Sequence, residues 1–260
     1  MKKGLILEGG AMRGMFSAGV MDVLMEAGIE FDGIVGVSAG AVFGCNYKSK
    51  QIGRTIRYNM KYVRDPRYCS LSSLIKTGDM FGRDFCYNII PNELDLFDND
   101  TFKNNPVKFY VVATDINSGK ALYQRIDSAD EKGLEYMRAS ASMPLVSKPV
   151  VLDGKEMLDG GIADSIPLEF FVNKGYDKNL VILTQPKDYV KKKNRLIRGG
   201  LFFETDYIIG RAVQDRADLF QRQHGDVVPL LDGIQRLIVD AGLQQTVLGD
   251  PLALHGFPHG

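Results

Sequence analysis

The sequence has little of several features that mark other classes of protein. Its 32 Lys and Arg residues balance its 32 Asp and Glu residues, so it lacks the basic excess typical of nucleic-acid-binding proteins. Its three cysteines, Cys45, Cys69 and Cys86, have no C-x-x-C spacing, which argues against a disulfide scaffold or a zinc site and favours a reducing compartment. No apolar run approaches the roughly 18 residues of a membrane-spanning helix, and Glu8 interrupts the apolar run near the N-terminus that resembles a secretory signal. We therefore expect a cytoplasmic protein with neither a nucleic-acid partner nor a metal site.

The composition that remains is that of an ordinary globular protein. Hydrophobic residues make up 45% and charged residues 25% of 260 positions, enough for one α/β domain with a substantial core. Apolar patterning predicts these strands: Gly4–Glu8, Ile34–Val37, Val107–Thr114, Ala121–Arg125, a Val150–Leu158 hairpin around Asp153-Gly154, and Leu180–Thr184. It predicts helices over Met15–Ala27 and Glu131–Ser140, and one that begins at Ser38. The strand–helix–strand–helix opening indicates a parallel sheet with helices on its faces.

A serine lies on a glycine-flanked turn directly after the second predicted strand. Gly36-Val37-Ser38-Ala39-Gly40 has the form G-x-S-x-G, which places a serine on a tight strand-to-helix turn with its hydroxyl exposed. The helix N-terminus beside it favours negative charge near Ser38. The motif alone is weak, since a glycine-rich structural turn has the same form. Its position between a short buried strand and a small-residue helix favours a nucleophile.

Histidine, the usual base for such a serine, is scarce. The chain has three, and His255 and His259 fall in the last six residues. His224 precedes Gly225, where a helix C-terminal cap explains a histidine well. A Ser-His-Asp triad therefore has only His224 as a candidate, and a carboxylate base becomes the better hypothesis.

Asp159 is the carboxylate that stands out. Of four Asp-Gly dipeptides, most of which are expected to be simple turns, only Asp159-Gly160 is followed by a second glycine, Gly161. It also follows the last strand of the predicted hairpin directly. A loop without side chains there would let the carboxylate reach another loop. Partial desolvation would be required to make such a carboxylate a sufficient base.

The first loop offers backbone donors for an oxyanion. Gly9-Gly10-Ala11-Met12-Arg13-Gly14 joins the first predicted strand to the first helix, and parallel strands would place it beside the Ser38 turn. Glycines there expose the N–H groups that acyl transfer needs, and Arg13 would add positive charge or anchor the loop. A dinucleotide site is the rival interpretation, but the middle glycine of G-x-G-x-x-G is missing and no acidic ribose ligand ends the second strand.

Three segments together resemble the patatin-like phospholipase family. Leu7–Gly14, Gly36–Gly40 and Leu158–Gly161 stand in that family's order and approximate spacing, with support from Ala113–Ile116, Arg138–Pro144 and Gly161–Pro167. The resemblance spans about residues 3–195. It implies a three-layer α/β/α sandwich with a mostly parallel central sheet, and hydrolysis of lipid acyl esters without metal or cofactor. It also implies a Ser38–Asp159 dyad with an oxyanion loop of Gly9, Gly10, Ala11 and Arg13, supported by Gly14, Gly36, Gly40, Gly160 and Gly161.

Beyond the catalytic segments, several questions stay open. We expect an acyl-hydrolase domain over 1–200 and a C-terminal segment, 201–260, that departs from the family pattern but packs on the same domain. The basic segments 48–67 and 187–198 fit either solvated faces or peripheral contact with anionic headgroups. An acyltransferase or thioesterase would use the same dyad, and a non-catalytic lipid-binding module would keep the fold. Nothing in the sequence indicates an oligomeric state.

Overall fold

The computed structural model describes residues 1–185, of which Met1–Thr184 form one compact unit. Its strands are β1 (Lys3–Leu7), β2 (Gly33–Val37), β3 (Lys108–Asp115), β4 (Ala121–Ile126), β5 (Val150–Leu152), β6 (Lys155–Asp159) and β7 (Lys178–Ile182). Its helices are α1 (Gly14–Glu26), α2 (Ala39–Lys48), α3 (Arg54–Tyr62), α4 (Leu71–Thr77), α5 (Asn99–Asn104), α6 (Glu131–Ser140) and α7 (Leu168–Asn173). A π-helical segment covers Phe85–Leu94, and 3₁₀ turns cover Ala11–Arg13 and Gly160–Ile162. Among these helices none is long and apolar enough to cross a membrane.

The sheet runs in the order β5-β6-β3-β2-β1-β7, with β4 also paired to β3. Strands β7, β1, β2 and β3 are mutually parallel, whereas β4, β5 and β6 join by antiparallel pairing. The expected parallel sheet is therefore present as four of the seven described strands of a mixed sheet. Strand β4 is antiparallel because it follows β3 in a hairpin, and β5 and β6 form a second hairpin, a connection that needs no crossover helix.

Strand β3 organises the sheet because both of its edges are occupied. One edge pairs with β4 over Phe109–Thr114. The other edge of β3 pairs first with β2 and then with β6. The last residue of β2, Val37, lies opposite Val112, and the last residue of β6, Asp159, lies opposite the next β3 residue, Ala113. Two strands that run in opposite directions thus end beside each other on the same edge.

Helices cover both faces of the sheet, which gives the expected three-layer sandwich. On one face α2 packs so closely that a Cβ at Gly44 would lie 3.4 Å from the Phe109 ring and 3.9 Å from Ile34. The residues that alternate with these point to the other face, and they form a buried cluster with the α7 region: Ile6, Val35, Val37, Tyr110, Val112, Phe171 and Tyr176. The period-two alternation of β1, β2 and β3 therefore supplies both cores.

The predicted elements agree with the observed ones within a few residues. The largest unassigned stretch, residues 68–106, contains α4, the π-helical segment and α5. In the basic segment 48–67, Lys48 is 2% and Arg54 4% exposed, so these two side chains form neither a solvated face nor a lipid contact. The segments 187–198 and 201–260 and His224, His255 and His259 lie outside the described residues.

Candidate active site

Ser38 occupies a strained turn between β2 and α2. Its backbone has φ 54° and ψ −123°, a conformation that costs a non-glycine residue free energy and that recurs at functional turns. Its carbonyl oxygen accepts hydrogen bonds from the amides of Ala41 at 2.9 Å and Val42 at 3.1 Å, which begins α2. Its own N–H donates to Ser140 Oγ at 2.9 Å. The residue is 6% exposed, so this turn is buried.

The two flanking glycines are required by close backbone packing. A Cβ on Gly36 would lie 2.6 Å from Ala41 Cα, and one on Gly40 would lie 2.9 Å from the carbonyl carbon of Leu7. Real Cβ atoms do not come so close to backbone atoms, so both positions exclude any side chain. The G-x-S-x-G pattern thus reflects the contact of α2 with the ends of β1 and β2.

The Gly9–Arg13 loop lies against the Ser38 turn, as its place after a parallel strand predicts. A Cβ on Gly9 would lie 2.9 Å from Ser38 Cβ. Within residues 1–185 the amides of Gly9, Gly10 and Ala11 donate to no protein acceptor, whereas the Arg13 amide donates to the Gly10 carbonyl at 3.0 Å. The first three amides are therefore the donors that this loop offers to a ligand, and the Arg13 side chain is exposed beside them.

Both ends of this loop are anchored. Thr184, just after β7, donates its hydroxyl to the Gly9 carbonyl at 2.5 Å, and its amide donates to the Glu8 carboxylate at 2.6 Å. At the other end a Cβ on Gly14 would lie 2.9 Å from Ala39 Cβ, so only glycine lets α1 approach α2 here. The anchoring roles of Glu8 and Thr184 carry no sequence signal, because they depend on the pairing of β7 with β1.

Asp159 ends β6 and is held by hydrogen bonds at three points. Its Oδ1 accepts from the Gly161 amide at 2.8 Å, and its own amide donates to the Ser142 carbonyl at 2.8 Å. Its carbonyl accepts from Thr114 Oγ1 at 2.8 Å, and the same hydroxyl accepts from the Ala163 amide at 3.2 Å. Asp159 is 6% exposed, so it has the buried setting that the dyad hypothesis requires.

The glycines after Asp159 have a steric reason rather than the chain freedom inferred from the sequence. A Cβ on Gly160 would lie 2.6 Å from the carbonyl carbon of Val112, so the turn can lie against β3 only without a side chain. A Cβ on Gly161 would lie 3.1 Å from Asp159 Oδ1, a tight contact at the carboxylate that its amide binds. The two glycines thus allow the short 3₁₀ turn Gly160–Ile162 to form against β3, with the Gly161 amide donating a hydrogen bond to the Asp159 carboxylate.

The fold brings Ser38 and Asp159 to the same point of the sheet. Val37, which precedes Ser38, and Asp159 pair with consecutive residues on one edge of β3. The position of a Gly161 Cβ is 3.1 Å from Asp159 Oδ1 and 3.9 Å from Val37 Cγ1. The Ser140–Ser142 turn contacts both residues. Ser140 Oγ accepts from the Ser38 amide at 2.9 Å, and the Ser142 carbonyl accepts from the Asp159 amide at 2.8 Å. This turn and Thr114 lie in the stretches that supported the family resemblance, but their contacts were not predicted.

An apolar cavity of about 120 Å³ opens beside Ser38. Its walls are mainly aromatic and aliphatic, and they include Ala11, Phe43, Tyr58, Ile90 and Met137. Much of the wall comes from residues 68–106, the stretch to which sequence patterning assigned no element. Ser38 lies on the cavity wall and Asp159 does not.

Two thiols also line the cavity. Burial raises the pKa of Cys45 to about 12 and, with a smaller contribution from Cys69, raises the pKa of Cys86 to about 12. Both therefore remain protonated at neutral pH, and a protonated thiol is a poor nucleophile. Within residues 1–185 no group of three or more His, Cys, Asp and Glu side chains is arranged to hold a metal ion.

Comparison with known proteins adds sequence relatives to this geometry. The chain is 30% identical over 199 residues to the "Uncharacterized protein YjjU" of Escherichia coli strain K12, which covers 70% of this chain and 52% of that protein. It is 27% identical over 185 residues to "Lysophospholipase nte1" of Aspergillus niger, covering 67% of this chain and 11% of that protein. The chain thus spans about half the length of the first relative and about a tenth of the second.

A solved structure and a family match complete the comparison. The structure of VipD from Legionella pneumophila aligns with 63% of this chain and 46% of its own, with a TM-score of 0.36 and 17% identity. Residues 5–172, well over half of the chain, match the family described as patatin-like phospholipase. The chain therefore belongs to the patatin-like phospholipase family.

Proposed function

We propose that this chain hydrolyses fatty-acyl esters of phospholipids or lysophospholipids, with Ser38 as nucleophile and Asp159 as base. The observation that carries the proposal is the placement of a strained serine on the wall of an apolar cavity, beside three backbone amides with no acceptor among the described residues. Family membership supports the ester-hydrolase chemistry. The A. niger relative is named a lysophospholipase, which supports a lysophospholipid as one substrate class.

The first half of the reaction would acylate Ser38. The Asp159 carboxylate takes the hydroxyl proton as Oγ attacks the ester carbonyl carbon. The carbonyl oxygen becomes an oxyanion within reach of the loop amides, for which Gly10 and Ala11 are the proposed donors. The ester C–O bond then breaks, and the departing alkoxide takes the proton back from Asp159. The result is an acyl-serine and a free alcohol, lysolipid or glycerophosphoryl compound.

The second half would release the fatty acid. A water molecule gives a proton to Asp159 while its oxygen attacks the acyl-serine carbonyl, and the same amides hold the new oxyanion. The bond to Ser38 Oγ breaks, and the serine recovers a proton from Asp159. No metal or cofactor enters either step of this proposal. The carboxylate acts twice as a proton acceptor and twice as a donor, and so ends unchanged.

The cavity would hold the acyl group during both steps. Its volume of about 120 Å³ is somewhat below that of an engineered apolar cavity of about 150 Å³ that binds benzene, so we infer room for a short acyl segment of up to about six carbons. Its largely apolar wall gives an acyl chain a favourable environment. A soluble six-carbon ester is therefore a suitable first substrate.

The test is labelling with a fluorophosphonate probe together with hydrolysis of p-nitrophenyl hexanoate. We expect the wild-type chain to react with both, Ser38→Ala with neither, and Asp159→Asn to lose at least about a thousandfold in hydrolysis, as nucleophile–base units generally do. Cys45→Ala/Cys86→Ala is the matched control for the other nucleophilic side chains of the cavity, and it should still label.

The outcomes separate the alternatives. Labelling that survives Ser38→Ala would place the nucleophile elsewhere and overturn the proposal. A folded wild-type chain that neither labels nor hydrolyses would favour a non-catalytic lipid-binding module. If acyl groups pass to added alcohols or thiols faster than to water, the same dyad would serve an acyltransferase instead.

A further inference from the structure

Three of the most exposed large apolar side chains lie on two segments next to the cavity. Leu71 and Ile75, one helical turn apart on α4, are 68% and 84% exposed. Leu145, in the loop 143–148, is 80% exposed. We call these three residues the rim patch. Single exposed apolar residues are common, but a group of them at the mouth of a binding cavity indicates a contact surface.

The two segments of the rim patch are joined to each other. The Met80 amide donates to the Val146 carbonyl at 2.8 Å, and the Lys148 amide donates to Asp79 Oδ1 at 2.8 Å. The chain returning from α4 is bonded to that helix through Ser73 Oγ and the Asp79 carbonyl at 2.8 Å. The helix and the loop therefore form one surface rather than two separate projections.

This surface borders the cavity that begins at Ser38. Asp79 and Phe81, which follow α4, line the cavity, as do Met143 and Ser147 on either side of Leu145. The rim patch residues themselves do not line it. A surface in contact with the rim patch would thus lie at the entrance of the cavity, and an acyl chain from that surface would reach Ser38 through the cavity.

The backbone at Leu145 adds an independent indication. Its φ is 70°, in the left-handed region that β- and γ-branched side chains rarely adopt. A leucine that is both strained and almost fully exposed gains nothing from packing within the described chain. Such strain is typical of positions kept for a contact with something else.

Charge identifies the occupant of the surface. Lys76, next to Ile75, and Lys148, near Leu145, are exposed, and within residues 1–185 neither forms an ion pair. By contrast, three arginines of the basic segment 48–67 already have carboxylate partners within the chain: Arg54 and Arg57 with Asp95, and Arg67 with Asp65. Apolar side chains interleaved with unpaired cations match the interface of an anionic bilayer.

We propose that the rim patch, with Lys76 and Lys148, docks this protein on an anionic phospholipid surface and aligns the cavity mouth with the acyl chains. The inference rests on the proposed lipid hydrolysis, because that activity gives the docking a purpose. The measurement of docking does not depend on that activity. Docking is measured in a Ser38→Ala background, so that binding is recorded without any turnover of the vesicles. The proposed function is judged separately, by labelling and soluble-ester hydrolysis of the wild-type chain.

The first experiment is co-sedimentation with phosphatidylcholine vesicles that contain 30% phosphatidylglycerol. Replacing Leu71, Ile75 and Leu145 together by serine should lower the vesicle partition coefficient by about tenfold or more, since buried apolar area drives interfacial binding.

A matched triple variant controls for general loss of apolar surface. Met60→Ser/Leu96→Ser/Val151→Ser removes side chains of similar exposure, at 69%, 65% and 70%, from elsewhere on the described unit. It should bind as the parent does. A thermal melt of each variant checks that it folds.

The second experiment tests the charges. Lys76→Glu/Lys148→Glu should weaken binding to the anionic vesicles by about tenfold or more, because each cation near an anionic surface contributes about 1 kcal/mol and reversal adds repulsion. The control Lys103→Glu/Lys120→Glu carries the same change in net charge on exposed lysines of α5 and of the turn before β4, and it should have little effect.

Each contrary outcome has one meaning. Undiminished vesicle binding by the rim-patch variant, or equal loss in its control, would overturn the proposal. So would failure of the folded parent to bind anionic vesicles. A dimer in solution that the rim-patch variant dissociates, without vesicle binding, would identify a second copy as the occupant instead.

Discussion

The two candidate catalytic residues are held in place by different physical means. Ser38 stands on a strained turn whose neighbours are glycines, and backbone approaches too close for any side chain define its position. Asp159 has an ordinary extended backbone, with φ −48° and ψ 132°, and hydrogen bonds from neighbouring segments define its position. Steric fit is intolerant of added atoms, whereas a hydrogen-bonded site is sensitive to lost donors and acceptors. The difference predicts distinct responses to mutation on the two sides.

The largest effect should come from filling the steric gap on the Ser38 side. Gly40→Ala places a Cβ 2.9 Å from the Leu7 carbonyl carbon, so α2 must shift away from β1. We expect the free energy of unfolding to fall by about 1–3 kcal/mol, as overpacked sites do, with loss of fluorophosphonate labelling. Urea denaturation measures the first and the probe measures the second.

A second glycine supplies the control for this change. Gly19, also helical, has no atom within 4 Å of an added Cβ, so Gly19→Ala should stabilise the chain by about 0.5–1 kcal/mol through helix propensity. If Gly40→Ala were as harmless as Gly19→Ala, steric fit would not be what positions Ser38.

The next effect breaks the hydrogen bonds on the Asp159 side. Thr114→Val keeps the shape of a buried side chain but removes the hydroxyl that donates to the Asp159 carbonyl and accepts from the Ala163 amide. The buried Asp159 carbonyl then loses this donor, while the Ala163 amide keeps its bond to the Gly160 carbonyl at 3.2 Å. We expect a cost of about 1–3 kcal/mol in the free energy of unfolding. Thr114→Ser retains the hydroxyl and should retain most of the activity. Equal stability of the valine and serine variants, measured by urea denaturation, would contradict the comparison.

A smaller effect is expected where the two sides meet. Ser140→Ala removes the acceptor of the Ser38 amide, and we expect a loss of about 1 kcal/mol, equivalent to about fivefold in kcat/KM for hexanoate ester hydrolysis. Ser142→Ala is the matched variant, because that hydroxyl donates to the Arg138 carbonyl at 2.8 Å instead. An equal reduction in both would mean that the turn acts only through its general packing.

The smallest effect tests whether buried charge, rather than hydrogen bonding, matters on the Asp159 side. Burial raises the pKa of Asp164 above its ordinary 3.8, although Tyr123 donates a hydrogen bond to its Oδ2 at 2.7 Å. A raised folded-state pKa means that the charged carboxylate is the less favoured form in the fold, so its stabilising contribution is present below the unfolded pKa and is lost as pH rises through the folded pKa. Asp164→Asn should therefore raise Tm at pH 7, and the gain should shrink as pH falls through the raised folded-state pKa and disappear below about 3.8, where the carboxyl is protonated in both states. A gain that is independent of pH would assign the effect to packing.

Local patterns made much of the fold predictable. The apolar segments of β1, β2 and β3 located these strands to within a residue or two, and Asp153-Gly154 located the β5–β6 turn. The stretch 68–106 escaped prediction because α4 and α5 span seven and six residues, and the π-helical segment contains Pro91. Elements this short carry little periodic signal, and the proline argues against a helix.

The sequence by itself determined which residues are candidates. G-x-S-x-G after a buried strand, Asp159 before two glycines, and the Gly9–Gly14 loop are local patterns, and each reports a backbone conformation that only certain residue types adopt. Tertiary structure decided that β6 pairs with β3 at the residue after β2 ends, which places Asp159 beside the Ser38 turn. It also decided that Thr184 anchors the Gly9–Arg13 loop. Such pairings depend on hydrogen bonds between strands far apart in the chain, and a period of two identifies a strand without naming its partner.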